Sequence, residues 1–239
     1  MKKLYSRQMG LLGWEASPSE PARTGTLRST VISMMARAGD PDVLKTSFDK
    51  FKAFAEDSSA PPLPGDLQVA VMKAALRYDE PAVFGMLKNM YEAGNSLPEE
   101  QRNCLSVMGC VKDEKLHATM LEYVLFSGQV RLQDISFPLA SLSSTHDAGG
   151  FATWAFFKDN YARLHNRFGS GPMWGACVGL SCRGIRSSEG ADDVEQFFKD
   201  HPPGSAQRRL SQSLEIVRVQ IARRERDRDS MEAYLKTQA

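Results

Sequence analysis

Apolar residues recur along this chain at helical spacing nearly everywhere. Leu27, Val31, Met34 and Ala38 stand at i, i+4, i+7 and i+11, and the pattern stops at Gly39. Asp40-Pro41 then supplies a side-chain cap and a proline whose missing amide is harmless in a first turn, and Leu44, Phe48, Phe51 and Ala55 follow on one face. A break from Ser58 to Gly65, rich in small residues and proline, precedes Leu67 to Arg77. Apolar residues in that segment occur almost all round, which predicts a helix buried on several sides.

Asp79-Glu80-Pro81 opens the next helix, with Val83, Phe84, Leu87, Met90 and Tyr91, and Gly94 closes it. Ser96 and Glu99 are spaced as a capping box for a helix carrying Cys104, Leu105 and Met108. Asp113 starts a helix through Leu116, Met120, Tyr123 and Val124 that closes near Gly128. Trp154, Phe157, Tyr161, Leu164 and Phe168 form the strongest single stripe. Further helices are predicted over about Met173 to Gly184, Ala191 to Asp200 and Ala206 to Arg226, with a short piece around Met231 to Leu235. The fold class is therefore all-α. Short helices joined by short turns, with no repeat of fixed length, predict an irregular superhelical array of antiparallel helical hairpins, HEAT- or armadillo-like. Residues 1–239 read as a single domain.

Composition narrows the partners. Lys plus Arg number 30 against 29 for Asp plus Glu, a formal charge of +1, so no whole-chain field favours nucleic acid. The basic run from Arg218 to Arg228 is interleaved with acids, which reads as a solvated helix face with i,i+4 pairs. No apolar run approaches the roughly 20 residues that cross a bilayer, so no membrane partner is expected. The four cysteines, Cys104, Cys110, Cys177 and Cys182, fit neither a zinc knuckle nor a disulfide framework and read as reduced core thiols. With no Asn-x-Ser/Thr sequon, they suit a cytoplasmic location.

The chemistry-bearing motifs are mostly missing. His117, His146, His165 and His201 lie far apart, none in an H-E-x-x-H pattern, and they read as ordinary surface or half-buried histidines. No G-x-S-x-G elbow is present, and Gly169-Ser170-Gly171 lacks the lysine of a phosphate loop and reads as a helix terminator. No catalytic or metal-ligating residue is assigned. Arg131, Gln133 and Asp134 stand where a helix begins, and two readings stay open for them. Arg131, with Gln133 beside it, could meet a peptide's carboxylate, for which a planar two-donor fork is well matched. Alternatively Asp134 sits near a helix N-terminus and Arg131 pairs with it or with a neighbouring helix. Trp154, Phe157 and Tyr161 read as core, and Asn160 and Arg167 beside them as helix-to-helix hydrogen bonders.

Several of these elements together carry a resemblance. Leu4-x7-Leu12-Gly13-Trp14, then Val130-Arg131-Leu132-Gln133-Asp134, the Gly149-Gly150 pair, the block from Trp154 to Tyr161 with Asn166-Arg167-Phe168, and Gln196-Phe197-Phe198-x3-Pro202 occur in family-like order over essentially the whole chain. The chain resembles the C-terminal helical domain of the gluzincin zinc aminopeptidases, especially the puromycin-sensitive branch. That resemblance implies a non-catalytic cap over a zinc site held by an N-terminal catalytic domain lying upstream. It also implies peptide substrates enclosed between the two, and no cofactor in this chain, the zinc belonging to the parent enzyme. A free-standing helical-repeat scaffold is the alternative. Pro138 departs from the family pattern, because a proline there removes a helical hydrogen bond. It predicts a kink or two short helices, and bars residue-by-residue transfer between Ile135 and Ser144.

Overall fold

The computed structural model describes residues 2–17, 19–21, 23–56, 61–94, 97–169 and 171–237. Among these there is no strand, and the helices run α1 (Lys2–Leu12), α2 (Arg23–Arg37), α3 (Pro41–Glu56), α4 (Gly65–Tyr78), α5 (Glu80–Ala93), α6 (Pro98–Met108), α7 (Glu114–Phe126), α8 (Ser136–Thr145), α9 (Asp147–Asp159), α10 (Tyr161–Phe168), α11 (Pro172–Cys182), α12 (Ser188–Asp200) and α13 (Gln207–Thr237). The protein is an all-α array of helices. It divides into two compact units, Met1–Leu116 and His117–Ala239.

The first unit is built round α4, which packs against α2, α3, α5 and α6. Leu67, Gln68, Ala70, Val71, Met72, Ala74, Ala75 and Leu76 are all buried, which fulfils the expectation of a helix covered on several sides. The small side chains of Ala70, Ala74 and Ala75 let neighbouring helices approach closely. Local start signals act as the sequence predicts. Asp40 Oδ1 accepts from Val43 N at 3.1 Å, Asp79 Oδ1 from Ala82 N at 3.1 Å, and Gly94 ends α5 at φ +68°. Ser96 lies outside the described residues; the amide of Leu97 donates to Glu100 Oε2 at 3.1 Å, so the acid that closes back on this helix start is Glu100.

The family-like Leu12-Gly13-Trp14 closes α1. Gly13 takes φ +57°, a left-handed turn that disfavours any side chain. The chain then returns to a buried clasp, where Arg28, 2% exposed, donates to both carboxylate oxygens of Glu20 at 2.9 and 2.7 Å and to the carbonyl of Leu12. Hydrogen bonding from Arg28 holds the Glu20 carboxyl below its ordinary range.

The second unit is built round α11, which packs against α8, α9, α10 and α13. Its residues from Cys177 to Cys182 are all buried, and Trp174 donates its indole N–H to the carbonyl of Pro203 at 2.9 Å. Ser187 caps α12 by accepting from Gly190 N at 3.2 Å, so that helix starts three residues before its predicted Ala191. Pro138 has the effect expected of it. A 3-10 turn, Leu132–Asp134, is followed by the separate helix α8, with Pro138 buried in its first turn where a missing amide does least harm.

Two boundaries differ from the pattern. The stripe from Trp154 to Phe168 spans two helices, because Asn160 ends α9 and Tyr161 begins α10. Conversely, Ala206 to Arg226 and Met231 to Leu235 belong to one helix, α13, 31 residues long. Arg223, Arg228 and their acidic partners Asp227 and Glu232 pair one turn apart and carry the helix through its polar middle.

Candidate functional site

Residues 127–135 form a short exposed turn pinned at both ends. Gly128 leaves α7 at φ +80°, Val130 is 4% exposed, and Ile135 is fully buried. Between these anchors Arg131, Leu132 and Gln133 face outward and Asp134 faces inward. Asp134 is 1% exposed, and Arg131 Nε donates to its Oδ2 at 2.7 Å. The arginine side chain keeps 46% of its surface in solvent. Of the two sequence readings, the pair with Asp134 is formed. A buried carboxylate thus holds a guanidinium on an outward-facing turn, with the Gln133 amide two residues along. This arrangement can recognise an anion but offers no nucleophile.

Asn160 and Arg167 are placed differently from expectation. The Asn160 side chain donates to Phe156 O at 3.0 Å, back into its own helix rather than across to another, and so terminates α9. Arg167 is exposed, its guanidinium 5.4 Å from the ring of its neighbour Phe168. Among the described residues, neither hydrogen-bonds across to a second helix.

The aromatic half of the stripe is core except for Tyr161, which is half-buried. Trp154, Phe157, Leu164 and Phe168 are buried, and Phe157 stacks between Trp154 and Trp174, each at 5.7 Å between ring centres. Phe197 and Phe198 join the same cluster, which accounts for the Phe-Phe element of the family-like pattern. Sequence reasoning missed Asp193, whose Oδ2 accepts from the Trp154 indole at 2.6 Å and from Lys158 Nζ at 2.7 Å. Partial burial pushes this carboxyl up, but the hydrogen bonds from Lys158 and Trp154 outweigh it and hold it below the ordinary range. A carboxylate 39 residues away on another helix leaves no local signal.

The Gly149-Gly150 pair of the family-like pattern opens a helix. Both glycines lie in the first turn of α9, where a Cβ on Gly150 would fall 2.5 Å from the carbonyl of Gly184. A Cβ on Gly184 would collide with Gly150 Cα and reach 2.5 Å from Ser143 O. The motif is a backbone-to-backbone contact.

Histidines and cysteines complete the inventory. His117 is buried, 2% exposed, deeper than the surface or half-buried setting predicted, because it lies on the inward face of α7 with Met120, Leu121 and Val124, and its ring stacks on His146 at 5.3 Å. His146 Nδ1 accepts from Gly149 N at 2.9 Å and caps α9. His165 and His201 flank Tyr161. Among the described residues no three His, Cys, Asp or Glu stand close enough to hold a metal ion. Burial also pushes the thiols of Cys104, Cys177 and Cys182 up to about 12, which disfavours the thiolate that zinc takes as ligand. These residues do not fit a zinc site. A void of about 10 Å³ between Leu121, Leu139, Phe157 and Cys177 has room for a water at most. Among the described residues no helix is long and apolar enough to cross a membrane.

Comparison with known proteins places these features in a family context. Residues 1–219 match the model of the ERAP1-like C-terminal domain. Aminopeptidase M1 of Arabidopsis thaliana is 29% identical over 214 residues, covering 88% of this chain and 24% of that protein. The mitochondrial aminopeptidase 2 of Saccharomyces cerevisiae is 28% identical over 98% of this chain and 24% of its own length. Aminopeptidase N of Lactococcus lactis subsp. lactis is 26% identical over 97% and 27%. The chain spans about a quarter of the length of these curated relatives.

Proposed function

This chain belongs to the ERAP1-like C-terminal domain family, and from that membership we propose that it is the non-catalytic cap of a zinc aminopeptidase that removes N-terminal residues from peptides. The observation that carries the reading is the match over residues 1–219 in a chain that spans a quarter of its aminopeptidase relatives and contains no H-E-x-x-H. Zinc and the general base of hydrolysis then belong to the rest of the polypeptide. Bound there, the metal would polarise the scissile carbonyl and activate water. The residues of this chain act on the other end of the substrate. Arg131, oriented by Asp134, presents a charge-assisted donor to the distal carboxylate of a peptide, and Gln133 adds a neutral amide beside it. Enclosure by the cap excludes bulk water and folded proteins, and it must open for substrate to enter. A cytoplasmic setting is part of the same proposal, supported by the buried thiols.

The open reading frame tests this directly. It should encode H-E-x-x-H followed by a third glutamate ligand upstream of Leu4. A reading frame without that motif would overturn the aminopeptidase role in favour of a free-standing scaffold. The 239-residue chain alone should release no fluorophore from aminoacyl-coumarin substrates and carry no stoichiometric zinc by elemental analysis. Turnover that survives repurification would contradict a cap without chemistry of its own.

A further inference from the structure

Helix α13 outruns the body it packs on. Its buried positions are Leu210, Ser213, Val217 and Ile221, and no described residue after Ile221 is buried. The spacing of Leu210, Leu214, Val217 and Ile221 nevertheless continues without a register break through Arg224, Arg228, Met231 and Leu235. The same face is therefore presented along residues 222–237, roughly 24 Å of helix at 1.5 Å per residue. Arg224 still reaches back, its Nη1 3.4 Å from Asp147 Oδ2. Around and beyond it polar groups pair along the helix, Arg223 with Asp227 at 3.7 Å and Arg228 with Glu232 at 3.2 Å. At the tip Met231, Tyr234 and Leu235, neighbours at i, i+3 and i+4, are 55%, 59% and 59% exposed.

A helical overhang of this length is marginal in water, and three large apolar side chains make a poor free end. The patch offers on the order of a few hundred Å², well under the ~800 Å² per partner that separate molecules bury in a stable complex. A partner on the same polypeptide needs no such area, because the covalent link supplies a high effective concentration. The domain match ends at residue 219, two residues before the last buried position, yet the yeast and Lactococcus aminopeptidases, about four times longer, align over 98% and 97% of this chain and so retain the overhang, whereas the Arabidopsis protein aligns over 88%.

We propose that the tip of α13 docks through Met231, Tyr234 and Leu235 onto the catalytic portion of the same polypeptide, and so braces the cap against it. The proposal rests on the aminopeptidase reading above. Hydrogen exchange on the full-length polypeptide tests it, with the 239-residue chain as reference. Amides of residues 224–237 should exchange at least about tenfold more slowly in the full-length protein, and a M231D/L235D double variant should lose that protection. Both side chains are solvent-exposed, so the variant should keep its helical circular dichroism. Equal exchange in the two proteins overturns the docking, as does protection that appears in the 239-residue chain only with rising concentration, the sign of a second copy. If the reading frame carries H-E-x-x-H and protection does not rise, the docking alone fails. If the motif is missing, the aminopeptidase reading fails with it.

Discussion

Gly150 and Gly184 meet where α9 and the turn after α11 cross, and the contact leaves no room for a methyl group on either. Gly184→Ala should therefore force backbone apart and destabilise the second unit by about 2 kcal/mol, within the range for overpacked sites. Gly85 is the internal control, since it sits inside α5 with nothing within 4 Å of where a Cβ would stand. There alanine should add about 0.5–1 kcal/mol of stability through helix propensity alone. Urea midpoints of the two variants should move in opposite directions; a shift of Gly184→Ala toward greater stability would disprove the close contact. The residue scale also shows what the sequence hides. Asp40, Asp79 and Asp113 were legible as caps because a cap acts within three residues. The role of Gly149-Gly150 was not, because its partner is 34 residues away in the chain and is itself a glycine.

At the scale of helices the same distinction explains the two misplaced boundaries. The apolar stripe from Trp154 to Phe168 keeps helical period across Asn160, so periodicity alone could not reveal that the Asn160 side chain takes the Phe156 carbonyl and stops α9. The charged run before Met231 breaks the apolar pattern of α13 but not its backbone, since ion pairs replace packing there. The tie between α9 and α12 through Asp193 yields a pH prediction. The folded-state carboxyl is held below its ordinary value of 3.8, so the unfolded chain binds this proton more readily, and the stabilisation is present above that value and lost as pH falls through the folded one. The gap in melting temperature between the native sequence and Asp193→Asn should accordingly be open at pH 7 and close below pH 3.8. A gap unchanged at pH 3 would show that the carboxylate charge contributes nothing to holding Trp154 and Lys158.

At the scale of the whole molecule, the proposed role as a cap without chemistry would influence turnover only by deciding which substrates are held well. The charged contact proposed for it is Arg131, 46% exposed and anchored by Asp134 on a turn fixed by Val130 and Ile135. The family-like order of motifs made this turn visible in the sequence, whereas its inward and outward faces emerged only from the fold. A charge-assisted hydrogen bond to a carboxylate contributes about 1.5–3 kcal/mol, equivalent to about tenfold or more in kcat/KM. That contribution is available only to a peptide long enough to span from the zinc to this turn. In the full-length enzyme Arg131→Ala should lower kcat/KM by about tenfold for such peptides and leave single-residue aminoacyl reporters unchanged. Amidating the peptide's C-terminus should abolish the difference between the two enzymes, because the anion that Arg131 recognises is then gone. Equal losses on peptides and reporters would instead make Arg131 a partner of Asp134 and nothing more, its removal felt through the fold of the turn.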